Sequence, residues 1–405
     1  MASNHELFIT HAMVPAEFLP APQASSLPGF GPGFVHIRQG QIVSVNVPGA
    51  AAPPRGVRRL NAEGCILLPG LIDVHVHGAM GHDTMDATPE ALAAMARFFA
   101  AHGVTAFLAT TMTASAEATL AAVRAAADYC RGPQEPGGAR LLGVHLEGPF
   151  ISPEFPGAQR ADQIRPPDLA EFDALCQAGP VRMITLAPEQ PGAKALIAAA
   201  RRRQIVAVAG HTSATYEECL AGIEAGITQA THTYNAMTGL HHRRPGTLGA
   251  VLSDDRVYAQ LIADNIHVHP AAMKILARCK GPSRTVLITD AMRAAGLPPG
   301  QYDLGGQMVT VQDNQCRLAD GTLAGSVLTL ERGLAHFTAA SGLDLAQSWP
   351  AASRTPAQSL GLDHELGAIA VGYRADLVLL DGELNVVATL VDGQVAYLQD
   401  EARLE

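Results

Sequence analysis

Between residues 65 and 292 the chain alternates eight short apolar runs with mostly helical patterns. The runs are CILLPGLIDVHVH, VTAFLATT, RLLGVHLEGPF, VRMITLAP, IVAVAGHT, QATHTYNAM, YAQLIADNIHVH and TVLITDAM. Runs of this kind, apolar on both faces, read as strands of a parallel sheet covered by helices. The first connecting segment shows the helical pattern: Leu92, Met95, Ala96 and Phe99 fall at i, i+3, i+4 and i+7, with Pro89 opening the helix and Gly103 closing it. Eight successive βα units close most naturally into a (β/α)8, TIM-like barrel, whose functional residues gather at the carboxyl ends of the strands.

A barrel of this type takes about 250 residues, and the chain has 405. The surplus sits at the two ends. Residues 1–66 hold alternating segments such as FVHIRQGQIVSV between Pro/Gly loops, PAPQASSLPGFGPG and PGAAAPPRG. The pattern returns in GAIAVGYRADLVLLDGELNVVATLVDGQVAYL, with DG dipeptides at the bends. We expect one small β-sandwich domain composed of residues 1–66 and 358–405 around a barrel at 67–357. Two unrelated appendages are the alternative. A hairpin is expected near 301–320.

Acidic residues outnumber basic ones 38 to 28, a formal charge of −10. This argues against a nucleic-acid or anionic-membrane partner, so an anionic ligand must be held by local charge. The opening MASNHELFIT has no basic region followed by an apolar stretch, and no run of 18 apolar residues occurs. Six cysteines are scattered without close pairs, as in a reduced cytoplasmic protein.

The polar residues that end the apolar runs carry the chemistry. They are Asp73, His75 and His77; His145 and Glu147; His211; His232; Asp264 and His267; and Asp290. Residues i and i+2 of a strand face the same side, so His75 and His77 can grip one ion and His145 shares a face with Glu147. A lone histidine is ordinarily a hydrogen-bonded structural residue, and His5, His11, His36, His82, His102, His336 and His364 are read that way. Independent structural residues would not all fall at one end of consecutive strands. His75, His77, Glu147, His211, His232 and Asp290 are therefore read together as a site for one or two divalent metals. Imidazole and carboxylate donors suit zinc first, with iron, cobalt or manganese as alternatives, and no thiolate cluster points to a structural zinc.

This constellation resembles the amidohydrolase superfamily, whose metal-dependent hydrolase barrels carry a small β-domain made from both chain ends. Many members bridge two metals with a carbamylated lysine, but Lys194, Lys274 and Lys280 all lie in helical stretches. Glu147 is the carboxylate that replaces it. GLIDVHVHG, GVHLEGPFISP, AGHTSAT, THTYNAM, RRPG, LIADNIHVHP, LITDAM and LAGS together are similar to the N-acetylglucosamine-6-phosphate deacetylase family. The resemblance implies that Glu147, His211 and His232 are the main metal ligands. It also implies that His75 and His77, with Glu147 and Asp290, hold a second metal. The implied reaction is hydrolysis of the acetamide of a phosphorylated amino sugar by metal-activated water, with Asp290 as general base and then general acid.

HHRRPG concentrates His241, His242, Arg243 and Arg244 in an otherwise acidic protein, and arginine forks match phosphate oxygens bidentately. By resemblance Arg243 is the phosphate-binding arginine, reaching the neighbouring active site of a homodimer. Ala158, Asn235, Ala236, His267 and the backbone of Leu323, Ala324 and Gly325 match the remaining substrate contacts, while Asp264 orders its own loop. Three positions depart from the family pattern: Gln159 where histidine is common, Arg244 where glutamate is usual, and Asn265 where glycine is usual. They leave open a preference for the galactosamine epimer. The competing readings are another metal amidohydrolase, acting on a cyclic amide or an N-acyl amino acid, and a catalytically inactive barrel.

Overall fold

The computed structural model describes residues 6–20, 25–47, 56–132 and 137–405. His5 and most of the Pro/Gly loop at 48–56 lie outside the described residues.

All eight expected strands form, and they line up in chain order as one parallel sheet. They are β1 (Leu71–Val76), β2 (Val104–Thr111), β3 (Arg140–Glu147), β4 (Val181–Leu186), β5 (Val206–Ala209), β6 (Ile227–Ala230), β7 (Tyr258–Ile262) and β8 (Thr285–Ile288). Helices α1 (Pro89–Ala101), α2 (Ala116–Arg131), α3 (Leu169–Ala178), α4 (Ala193–Arg202), α5 (Tyr216–Ala225), α6 (Gly246–Ser253), α7 (Pro270–Lys280) and α8 (Leu330–Ser341) alternate with them. The barrel closes at its carboxyl rim, where the amide of Asp290 donates to His75 O (2.9 Å) and that of His77 to Ala291 O (2.9 Å). These bonds join the last βα unit to the first, so residues far apart in sequence share one mouth.

The expected helical face is the buried one. In α1, Leu92, Met95, Ala96 and Phe99 are buried, and the Thr88 hydroxyl caps the first turn by accepting from Ala91 N. Inside the barrel a second apolar layer, including Ile72, Val74, Leu108, Met183, Val208 and Ile288, fills the space below the mouth. The interior is therefore packed, and only its rim is free to hold a ligand.

One expected strand is two. The run CILLPGLIDVHVH breaks at Gly70: Ile66–Pro69 joins the sheet built from the chain ends, and Leu71–Val76 enters the barrel. Gly70 is required at the crossing, because a Cβ there would lie 2.1 Å from Thr105 Oγ1. The sheet of the chain ends has eight strands, with Leu377–Leu380 paired antiparallel to Ile66–Pro69 as the link between amino-terminal and carboxyl-terminal strands. Its core includes Leu7, Ile9, Val35, Leu67, Leu379 and Leu390. Arg140, at the start of β3, ties the barrel to it through Asp376 Oδ2 (2.7 Å) and Asp392 Oδ2 (2.7 Å).

After β8 the expected hairpin is a three-stranded antiparallel sheet, Gly300–Leu304, Gln307–Gln312 and Gln315–Arg317, which lies beside the mouth. Among the described residues no helix is long and apolar enough to cross a membrane.

Candidate active site

The strand ends open into a cavity of about 520 Å3 whose wall includes His77, Glu147, His211, His232 and Asp290. Glu147 is the last residue of β3, whereas His211, His232 and Asp290 each lie two residues beyond a strand. These three have positive φ, at 46°, 26° and 50°. Left-handed backbone costs a non-glycine residue of order 1–3 kcal/mol and is retained where the surrounding structure enforces it, as at functional sites. Here the bend turns each side chain from the strand axis into the mouth.

Glu147 stands at the centre. Its Oε1 is 3.1 Å from His211 Nε2 and 3.1 Å from His232 Nε2. Its Oε2 is 3.1 Å from His77 Nε2, and His75 Nε2 is 3.4 Å from Oε1. Asp290 Oδ1 completes the second group, 3.2 Å from His77 Nε2 and 3.5 Å from His75 Nε2. Two metal-competent triads thus share one carboxylate: His75, His77 and Glu147, and Glu147, His211 and His232.

The far side of each ring decides what faces the centre. His77 Nδ1 donates to Thr110 O (3.2 Å), His211 Nδ1 to Phe155 O (3.0 Å) and His232 Nδ1 to Asn235 O (3.2 Å). Carbonyl oxygens only accept, so the proton is on Nδ1 and the Nε2 lone pair points inward. His75 Nδ1 meets Gln260 Oε1 (3.2 Å), and Gln260 is oriented by donating its amide to Gln229 Oε1 (3.1 Å). In this tautomer His211 Nε2 and His232 Nε2 lie 3.2 Å apart with no proton between them, both aimed at a carboxylate oxygen. His75 Nε2 is buried without a hydrogen-bond partner among the described residues. Such an array is repulsive unless a cation sits in it, and the donor set suits a divalent transition metal.

The charges of the cluster favour a cation in the same place. Burial alone would push Glu147 up, but the imidazoles around it outweigh burial and hold it well below the ordinary carboxylate range. Burial would lower His77, yet Asp290 and Glu147 raise it well above an ordinary histidine. The pocket attracts positive charge.

Two strand-end residues expected among the potential ligands turn elsewhere. Asp73 Oδ2 accepts from the Thr289 hydroxyl across the barrel seam, and burial pushes its carboxyl up to about 6. His145 Nε2 bonds Thr185 Oγ1 (2.8 Å), and burial holds this imidazole well below its ordinary value. Of the histidines read as structural, His36 pairs with Glu6 (2.6 Å), His102 with Glu331 (2.9 Å) and His336 with Ala263 O (2.8 Å).

Ala158, Asn235, Ala236, His267, Leu323 and Gly325 all line the cavity, and Ala324 is buried beside it. Asp264 orders its loop as expected: Oδ1 accepts from the amides of Ile266 and His267 (2.8 Å each), and Oδ2 bonds His267 Nδ1 (2.7 Å). Arg243 does not line the cavity of its own chain. It is exposed, with Nη1 2.7 Å from His242 Nε2, on a neighbouring hollow shared with Ser213, Tyr216 and Arg244. Sequence reasoning missed the supports: Gln260 behind His75, Glu189 accepting from Ser213 N (2.7 Å) next to His211, and Gln159 on Glu147. Of these, Gln159 is visible in the sequence only as a departure from the family pattern.

Residues 66–396 match the amidohydrolase family. The chain is 40% identical over 377 residues to the N-acetylglucosamine-6-phosphate deacetylase of Bacillus subtilis (strain 168), covering 91% of this chain and 94% of that one. It is also 40% identical over 351 residues to the N-acetylgalactosamine-6-phosphate deacetylase of Escherichia coli O157:H7, covering 86% and 92%. Among solved structures, a mutant N-acetyl-D-glucosamine-6-phosphate deacetylase of Mycobacterium smegmatis in complex with N-acetyl-D-glucosamine-6-phosphate superposes with a TM-score of 0.87. It is 35% identical, over 97% of this chain and 100% of that chain.

Proposed function

The chain belongs to the amidohydrolase family, and from that premise we propose that it is an N-acetylglucosamine-6-phosphate deacetylase. It hydrolyses the acetamide of N-acetyl-D-glucosamine 6-phosphate to D-glucosamine 6-phosphate and acetate. The observation that carries this reading is Glu147 set between two pairs of inward-facing imidazoles, with Asp290 against one pair, at the wall of a cavity of about 520 Å3. A cavity in this range suits a small-molecule ligand.

The residues fit two divalent ions, one on Glu147, His211 and His232, the other on Glu147, His75, His77 and Asp290. Zinc is the proposed metal, and iron, cobalt or manganese satisfy the same donors. When bound, the metal supplies a nucleophile at neutral pH by lowering the pKa of water and polarises the acetyl carbonyl.

Asp290 is the proposed catalytic base. Burial would raise its carboxyl, but His75 and His77 outweigh burial and bring it to about 2, so it is ionised at neutral pH. It takes the proton of the attacking water and returns it to the sugar nitrogen as the C–N bond breaks, since an amide nitrogen leaves only when protonated. His267, its Nδ1 fixed by Asp264, presents Nε2 to the substrate. Ala158, Asn235, Ala236 and the stretch Leu323, Ala324 and Gly325 hold the sugar. Arg243, exposed and outside its own cavity, serves the phosphate of a neighbouring subunit's substrate, which makes the enzyme a homodimer. The reading carries a cytoplasmic location, supported by six unpaired cysteines.

One observation favours a second reading. The relatives named for the gluco and galacto substrates are each 40% identical to this chain. Steady-state kinetics on both 6-phosphates and on unphosphorylated N-acetylglucosamine separates the readings. The gluco 6-phosphate is expected to have the highest kcat/KM; a galacto preference replaces the substrate, and equal rates without phosphate refute the role of Arg243.

A further inference from the structure

We propose that Gln159 is a positioning residue that sets Glu147 as a bridge, and that it acts selectively on the metal held by His75 and His77. The inference rests on the metal reading above.

Gln159 is 5% exposed and carries no charge. Its Oε1 accepts from the amide of Thr113 (2.7 Å), and its Nε2 donates to Glu147 Oε2 (2.8 Å). The orientation of the side-chain amide follows, because a backbone N–H can only donate and so demands the oxygen. The Thr113 hydroxyl in turn donates to Glu147 O (3.3 Å). The loop after β3, the end of β2 and the end of β3 are therefore closed into one ring around the Glu147 carboxylate.

The two oxygens of that carboxylate are treated differently. Oε1 faces both His211 and His232 at 3.1 Å, with His75 farther off at 3.4 Å. Oε2 faces His77 at 3.1 Å and is the oxygen that Gln159 holds. The terminal torsion of a glutamate is broad and roughly two-fold, so without the amide the carboxylate can rotate. An ion at His211 and His232 needs one carboxylate oxygen, and either one serves as the group turns. An ion at His75 and His77 would draw on Oε2 beside His77 while Oε1 would serve the first ion, so this position would depend more on the pose that Gln159 holds. Loss of a hydrogen-bonding partner behind a metal ligand ordinarily lowers affinity 10–100-fold.

The test is titration of the metal-free protein with Co2+, followed by calorimetry and by visible absorption of the bound ion. Wild type binds two ions per chain, and His77→Ala identifies the step that belongs to His75 and His77. In Gln159→Met, with Gln159→Leu as a second apolar replacement, that step weakens 10–100-fold, while the other stays within about threefold and reports that the site is folded. Gln159→His, which keeps one donor, recovers most of the loss. If both steps weaken together, or neither moves, the inference is overturned. If wild type itself binds fewer than two ions, the binuclear reading fails instead.

Discussion

His77 Nε2 and Asp290 Oδ1 lie 3.2 Å apart across the seam where the last βα unit meets the first. The residues are 213 positions apart, and backbone bonds from Asp290 N to His75 O and from His77 N to Ala291 O hold the two ends in register. Barrel closure and assembly of the proposed catalytic centre are thus one structural event, and the proposed base sits where the seam is pinned.

Asp290→Asn keeps the shape of this contact and removes the proton acceptor. General acid–base catalysis contributes typically about 10^2–10^4-fold, so kcat is expected to fall by two to four orders of magnitude while the metal on Glu147, His211 and His232 is retained. Turnover within tenfold of wild type, with metal content measured in the same samples, would remove Asp290 from its role.

Arg243→Ala is expected to raise KM for the phosphorylated sugar and leave activity on the unphosphorylated sugar unchanged. A hydrogen bond to a charged group contributes about 1.5–3 kcal/mol, equivalent to roughly 10–150-fold. Mixing this variant with inactive Asp290→Asn protein should restore part of the lost affinity if the arginine acts across a dimer. Unchanged affinity for the phosphorylated substrate in the single variant counts against the assignment.

Arg140 joins the barrel to the sheet of the chain ends through Asp376, whose side chain is 4% exposed. Arg140→Met strands that carboxylate, and breaking a buried pair by removing one partner costs about 3–5 kcal/mol. The thermal midpoint should drop clearly, with acetate release at 25 °C intact, because Arg140 begins the strand that Glu147 ends. An unchanged midpoint would show that the contact does not couple the two units.

Asp83 caps the turn after the first barrel strand by accepting from Met85 N (2.8 Å), and burial raises its carboxyl to about 6. A carboxylate raised in the folded state binds more protons folded than unfolded, so its contribution is present at low pH and is lost as pH rises from about 4 to about 6. Asp83→Asn keeps the acceptor and removes this dependence. Its stability relative to wild type should therefore be greater at pH 7.5 than at pH 4.5, by up to about 2 kcal/mol, because at pH 4.5 part of the two-unit shift is already lost. Parallel stability curves across that range would contradict the assignment.

The sequence made the barrel legible because eight apolar runs and their intervening helical faces repeat one pattern. It made the cluster of histidine and carboxylate donors legible because six of them fall at matching strand ends. What it could not show is depth. Two residues along a strand are roughly 6.6 Å, so Asp73 sits one step below His75, and His145 one step below Glu147. At that level their partners are Thr289 and Thr185 rather than an ion. Likewise Gln159 and Gln260 reach Glu147 and His75 from other elements, and Glu189 holds the backbone at Ser213 beyond His211, with no spacing to mark them. The break at Gly70 lies in a run that is apolar on both sides and is marked in the sequence by Pro69–Gly70 alone, while the crowding against Thr105 explains why glycine stands there.

The most direct measurement is acetate release from N-acetyl-D-glucosamine 6-phosphate by protein stripped of metal and then reloaded with Zn2+. Chelation is expected to abolish measurable release, which recovers as metal content rises toward two ions per chain. Full activity in the stripped protein, or no acetate from the fully loaded one, would contradict the proposed function.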